Sequence, residues 1–147
     1  MLYEKLHTDL ISALKGKREF ELSVLRMLTA SLKNREIEKK SSGQAPTLTD
    51  EDVLDIFLRE AKKRREAAII FLNGGRKDLE EKELKEVEII QRYLPAQISA
   101  EEIEKVVKKV IDSGIKDFGS AMREAMKELK GKADGKAVGE SVKKLLG

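Results

Sequence analysis

Apolar residues recur along this chain at intervals of three and four, and no stretch alternates as a strand would. Leu2, Leu6, Leu10 and Leu14 step by four, with Ile11 and Ala13 beside them. They predict a first helix over about residues 2–14, ended by Gly16. Phe20, Val24, Met27, Leu28, Ala30, Ser31, Leu32 and Ile37 predict a second, from about Lys17 or Arg18 to Lys39, with Glu36 and Lys40 as an i,i+4 pair. The non-periodic polar residues 41–48 read as a loop. Thr49 then precedes Asp50, Glu51 and Asp52, a cap followed by an acidic first turn. The helix it opens carries Val53, Leu54, Ile56, Phe57, Ala61, Ala67, Ala68, Ile70 and Phe71. Asn73-Gly74-Gly75 ends it, and Asp78 opens a fourth, acidic helix reaching Tyr93 with Leu79, Leu84, Val87 and Ile90 apolar.

Pro95 lacks a backbone donor and pushes Leu94 out of helix, so residues 94–97 are the natural boundary. Ser99 and Glu102 are spaced as a capping box before Ile103, Val106, Val107, Val110 and Ile111. Gly114 ends that helix. Two short helical patterns follow. Met122, Ala125, Met126 and Leu129 mark the first, and Ala137, Val138, Val142, Leu145 and Leu146 the second. Gly131 stops the one and Asp134 caps the other. The expected fold is all-α: a four-helix N-terminal domain, residues 1–95, and a three-helix C-terminal domain, residues 96–147. The smaller one sits near the lower limit for folding alone.

Composition narrows the chemistry. Among 147 residues 39% are charged and only 4% aromatic, so the core must be aliphatic. The abundance of Lys and Glu resembles that of heat-adapted proteins. Without cysteine there is no disulfide, thiolate metal site or cysteine nucleophile. The single histidine, His7, lies off the leucine line and reads as a surface residue; it rules out a multi-histidine metal centre. The first residues have neither a basic leader nor an apolar signal core, and no run is long enough to span a bilayer, so the default expectation is the cytoplasm. Net charge is only +3, but from Ala121 onward there are seven basic and four acidic residues. That field is modest for a nucleic-acid binder.

The densest basic run, Lys62-Lys63-Arg64-Arg65, points most of the way round its helix, so it makes no flat patch; at least one member is expected to snorkel along the apolar face or to pair with an acid on a neighbouring helix. The acids of the fourth helix balance it. The turn Gly131-Lys132-Ala133-Asp134-Gly135-Lys136, beside Lys127 and Lys130, reads in two ways: a helix N-terminus with lysines suited to a phosphate, or a capped turn with a solvated rim. No phosphate-binding glycine loop, dinucleotide fingerprint, nucleophile elbow or calcium loop occurs. No catalytic residue, metal or cofactor is therefore assigned, and the residues favour a binding or scaffolding protein over an enzyme.

Several short motifs stand in a telling order. They are Leu25-Arg26-Met27-Leu28, Leu32-Lys33-Asn34, Lys63-Arg64-Arg65-Glu66 with Phe71, Gly75-Arg76-Lys77-Asp78-Leu79 and Tyr93-Leu94-Pro95. Asp117-Phe118-Gly119, Met122, Met126 and residues 131–138 complete the set. In this order the chain resembles the YqeY-like proteins of the GatB/YqeY family along nearly its whole length. The resemblance implies that the second domain is similar to the tail of the B subunit of tRNA-dependent amidotransferases, which touches tRNA while a separate domain does the ATP-dependent chemistry. It carries over a tRNA-contacting module, not an active site. The carbon–nitrogen ligase label attached to such proteins, with glutamine as amide donor, is then one inherited by similarity. The candidate RNA contacts are Arg123, Lys127, Lys130, Lys132 and Lys136, with Lys143 and Lys144 secondary. Phe118, Gly119, Met122, Met126, Gly131, Asp134 and Gly135 are expected to make the fold. The alternatives are a protein–protein adaptor and an accessory component of a glutamine-dependent amidotransferase; neither DNA specificity nor a membrane is expected.

Overall fold

The computed structural model describes residues 2–147. The described chain is all-α, with helices α1 (Leu2–Lys15), α2 (Glu19–Ser41), α3 (Asp50–Asn73), α4 (Lys77–Gln91), α5 (Ala100–Asp112), α6 (Phe118–Leu129) and α7 (Gly135–Leu146). Among the described residues there is no strand. Contacts gather the helices into two compact units, one ending at Leu94 and one comprising Pro95–Gly147.

In the first unit Leu6, Ala13, Leu22, Leu25, Leu28, Leu32, Val53, Phe57, Ala61 and Ile90 close over one core. Phe57 meets Tyr93 edge-on, with ring centroids 5.5 Å apart. The Tyr93 hydroxyl donates to the Asp9 carboxylate. Burial first, and that bond second, push the Tyr93 pKa up.

The leucine ladder of α1 is only partly the buried face. Each step of four turns the side chain a further 40°, so Leu14 has drifted about 120° from Leu2. Leu14 is exposed and Ala13 is buried in its place. The same geometry corrects α2: Leu22, Leu25, Leu28 and Leu32 hold one face, while Ile37 lies half a turn from Leu28 and is exposed, as are Ala30 and Phe20. Glu36 pairs with Lys33 at 3.2 Å, not with Lys40. The break between α1 and α2 includes Gly16, but the residue with left-handed backbone is Lys17, at φ 54°. Arg18 bridges that turn to Glu21 and to Ser12.

The predicted cap of α3 is present in full. The Thr49 hydroxyl accepts from the Asp52 backbone N–H at 3.1 Å, and the Asp52 carboxylate accepts from the Thr49 N–H at 3.0 Å. That carboxylate also receives Lys39 of α2 at 2.8 Å. The Lys39 hydrogen bond first, and the Thr49 backbone second, hold the Asp52 pKa down at about 2. Asp78 does not open α4. The helix begins at Lys77 behind Arg76, and Asp78 lies in its first turn, held by both arms of the Arg76 guanidinium. An acid there still favours the helix dipole.

In the second unit α5, α6 and α7 bury Ile103, Val107, Ala121, Ala125, Leu129, Val138 and Val142 against one another. Ser99 caps α5 by accepting from the Glu102 N–H at 3.2 Å; among the described residues the return bond of a capping box is absent. Ala137, expected in the α7 stripe, is exposed, because it precedes buried Val138 by a 100° turn of the helix.

Candidate nucleic-acid interface

The turn between α6 and α7 is built from its backbone outward. Gly131 is buried and adopts φ 79°, a conformation that side chains with a Cβ resist, and it ends α6. The N–H groups of Lys132 and Ala133 fold back onto the Leu129 carbonyl at 2.9 and 3.1 Å. Two bonds then reach the turn from the residues ahead of α5. The Gln97 side-chain amide donates to the Gly131 carbonyl at 2.9 Å, and the Ile98 N–H donates to the Lys132 carbonyl at 3.0 Å. The turn is thus fixed in shape while Lys132 stays exposed. Sequence reasoning does not single out Gln97 and Ile98. No periodic or motif signal marks a bond between residues 34 apart.

Asp134 caps α7, its carboxylate accepting from the Lys136 N–H at 3.4 Å. An acid therefore already stands at the positive end of α7, where a phosphate would otherwise bind. The cations available to an anionic partner are lysine and arginine side chains around the turn, not the helix terminus.

The seven candidate cations fall into separate groups. Arg123 and Lys127 lie one helical turn apart on the exposed side of α6, and Lys127 holds Glu124 at 2.7 Å. Lys130 and Lys132 belong to the turn. Lys136 and Lys143, seven residues apart, share one face of α7. Lys144 reaches α5, where Glu104 receives it at 2.8 Å, and this contact raises its pKa. Lys132, Lys136 and Lys143 are exposed and carry no ion pair among the described residues. Asp117 caps α6 by accepting from the Ser120 backbone N–H at 2.9 Å, and that bond is the main cause of its lowered pKa. Exposed Arg123 adds a smaller push in the same direction.

Among the residues expected to make the fold, Met122 and Met126 pack against the core, Gly131 forms the buried turn, and Asp134 caps α7 with Gly135 as the first helical residue. Gly119 lies exposed in the first turn of α6. Phe118 departs from expectation: it keeps helical register with Ala121, Ala125 and Leu129 but stands at the first residue of α6, beyond the end of the core, and is 42% exposed.

The first unit treats its cations differently. Arg64, in the middle of the densest basic run, is sunk between Glu60 at 2.6 Å and Glu86 of α4 at 2.8 Å. Of the two expectations for this run, snorkelling or pairing across helices, its half-buried guanidinium takes the second. A groove of about 510 Å³ is lined by Phe20, Asp78, Glu81, Lys82 and Lys85, with Asp78 already engaged by Arg76. Among the described residues no cluster of three or more acids or histidines is arranged to hold a metal, and no helix is long and apolar enough to cross a membrane.

Known proteins resemble this chain over much of its length. It is 35% identical over 100 residues to "Altered inheritance of mitochondria protein 41, mitochondrial" of Eremothecium gossypii, a match that takes in 67% of this chain and 52% of that protein. The protein of the same name from Kluyveromyces lactis is 30% identical over 110 residues, covering 72% of this chain and 56% of its own length. An uncharacterised protein of Schizosaccharomyces pombe is 30% identical over 94 residues, 64% of this chain and 72% of that one. The chain thus spans little more than half the length of the two relatives named for mitochondrial inheritance. The family described as "Yqey-like protein" matches residues 3–146, and the chain belongs to that family.

Proposed function

We propose that this chain is a non-catalytic accessory protein that binds tRNA, or another structured RNA, through the basic side chains around the α6–α7 turn. In this reading α1–α4 and α5–α7 are separate domains, the protein works in the cytoplasm, and only the second domain touches RNA. The observation that carries it is the set of exposed lysines without an ion pair among the described residues, Lys132, Lys136 and Lys143, on and beside a turn of fixed shape. The likeness of residues 117–138 to an amidotransferase tail points the same way. Lysines contact phosphates as point charges, which positions an RNA without reading its sequence. If they do so here, affinity for tRNA falls by roughly 0.7 to 0.9 log units per contact for each tenfold rise in salt. The double variant Lys132→Glu, Lys136→Glu flattens that slope and weakens binding about tenfold or more. Absence of measurable tRNA binding at low salt overturns the proposal.

A second reading, a protein–protein adaptor, draws on the first unit. Ile69, Ile70 and Leu72 near the end of α3 and Leu84 of α4 are exposed large apolar residues. A helix end that is apolar on several sides is more often covered than bare. If the adaptor role is the true one, Ile69→Glu abolishes partner binding and RNA affinity is at background with or without that change. A role as accessory to a glutamine-dependent amidotransferase is checked by adding the chain to the separate catalytic subunits; unchanged rates argue against it.

A further inference from the structure

Phe118 is the one aromatic residue between Pro95 and Gly147. It sits in the buried stripe of α6 by spacing, yet 42% of it is exposed. Its neighbour across the helix pair is Gly139 of α7: a Cβ placed there would lie 3.8 Å from Phe118 Cζ and 3.9 Å from Met122 Sδ. With no side chain, Gly139 lets the ring tip and the Met122 thioether lie close against α7, while 42% of Phe118 stays exposed. Three residues before Gly139 stands Lys136 and four after it Lys143. These are the positions that neighbour Gly139 on one helix face, about 10 Å apart along the axis. Both are exposed and without an ion pair among the described residues. Two acids lie nearby. The Asp117 carboxylate accepts the Ser120 N–H, and Glu140, four residues after Lys136 and three before Lys143, shares their side of α7 without an ion pair to either among the described residues.

A part-exposed ring beside a helix face that carries two lysines has a complement: a planar base with phosphate on either side. We infer that Phe118 is a stacking platform for one unpaired base of a bound RNA, with Lys136 and Lys143 holding the flanking phosphates. This rests on the RNA-binding reading above and sharpens it from charge contact to a defined subsite. Stacking on aromatic rings tolerates any base and needs one that is out of a duplex, as in the loops of a folded RNA.

The chain contains no tryptophan, so Phe118→Trp introduces a sole indole reporter at the platform. In the full-length protein the emission of that indole is quenched by tRNA and by single-stranded oligoadenylate over the range in which each binds, and stays unchanged with a blunt RNA duplex. Phe118→Ala weakens tRNA binding about tenfold, the effect expected from losing one stacked base, and keeps the salt slope of the unaltered protein. Phe118→Leu retains apolar bulk without the flat face; it binds as weakly as the alanine variant while melting like the unaltered protein. Salt-dependent tRNA binding with full affinity in Phe118→Leu and no change in the emission of Phe118→Trp overturns the platform and leaves the charge-contact reading standing. Equal quenching by the duplex also overturns it. No RNA binding at all at low salt overturns both, and an apolar acidic peptide that quenches the indole where RNA does not assigns the patch to a protein partner.

Discussion

Arg64 and Lys136 are both cations on helices of the same small protein, and their surroundings could hardly differ more. Arg64 is only 13% exposed in its side chain and lies between the carboxylates of Glu60 and Glu86. Lys136 is exposed on α7, with no ion pair among the described residues. The densest basic run in the sequence is thus partly spent on joining α3 to α4, while sparser lysines in the second unit remain available. Density of charge along a chain is a poor guide to a binding surface; what matters is which charges the fold has already neutralised. Exposed pairs are intermediate. Lys127–Glu124 and Lys144–Glu104 are solvated and open easily for a better partner.

This contrast can be broken experimentally, most forcefully at Arg64. Replacing Arg64 by alanine leaves two half-buried carboxylates facing each other without a cation, and is expected to cost about 3 kcal/mol, read as a lower midpoint in urea unfolding. RNA affinity of the folded variant stays the same; a parallel loss would show that α3 takes part in binding. Thr49→Ala comes next. It removes the hydroxyl that caps α3 and one partner of Asp52, and should cost about 1 kcal/mol in the same measurement.

Acid acts on the same place more gently. The folded pKa of Asp52, about 2, lies below its unfolded value, so its contribution is fully present above about pH 4. That contribution declines as pH falls toward 2. Asp52→Asn should flatten the acid limb of the stability profile, and an unchanged limb would remove Asp52 from the account. Smallest of all is the effect of Lys62→Glu with Lys63→Glu. Both side chains are exposed, and stability should move by no more than about 0.5 kcal/mol. RNA binding should barely change beyond the long-range loss of charge. A large drop would mean that the first unit carries part of the RNA surface, and the contrast with Lys136 would fail.

Much of the architecture is legible in the sequence because helical spacing is a local property. Thr49, Ser99 and Asp134 each cap the helix that follows them as their spacing predicts, and Asp117, which sequence reasoning does not single out as a cap, does the same for α6. Burial within a helix is legible only up to its phase. A ladder of exact fours drifts, so the pattern puts Leu14 inside although it faces solvent, and Ile37, half a turn from Leu28, is exposed as well. In the candidate interface the cations can be named from sequence, but their states cannot. Whether Lys144 is engaged depends on Glu104, 40 residues away, and the firmness of the turn depends on Gln97. Phe118 differs from what the family resemblance implies: its place at the very start of α6 brings it to the surface.

The bonds from Gln97 and Ile98 carry a consequence for dissecting this protein. A fragment begun at Ser99 would keep α5, α6 and α7 and look complete by any count of helices. It would nonetheless lack both donors that fill the Gly131 and Lys132 carbonyls, and the lysine-bearing turn would be free to change shape. The residues just after Pro95 behave as a brace for the α6–α7 turn, so the smallest portion worth testing for RNA binding starts at Pro95.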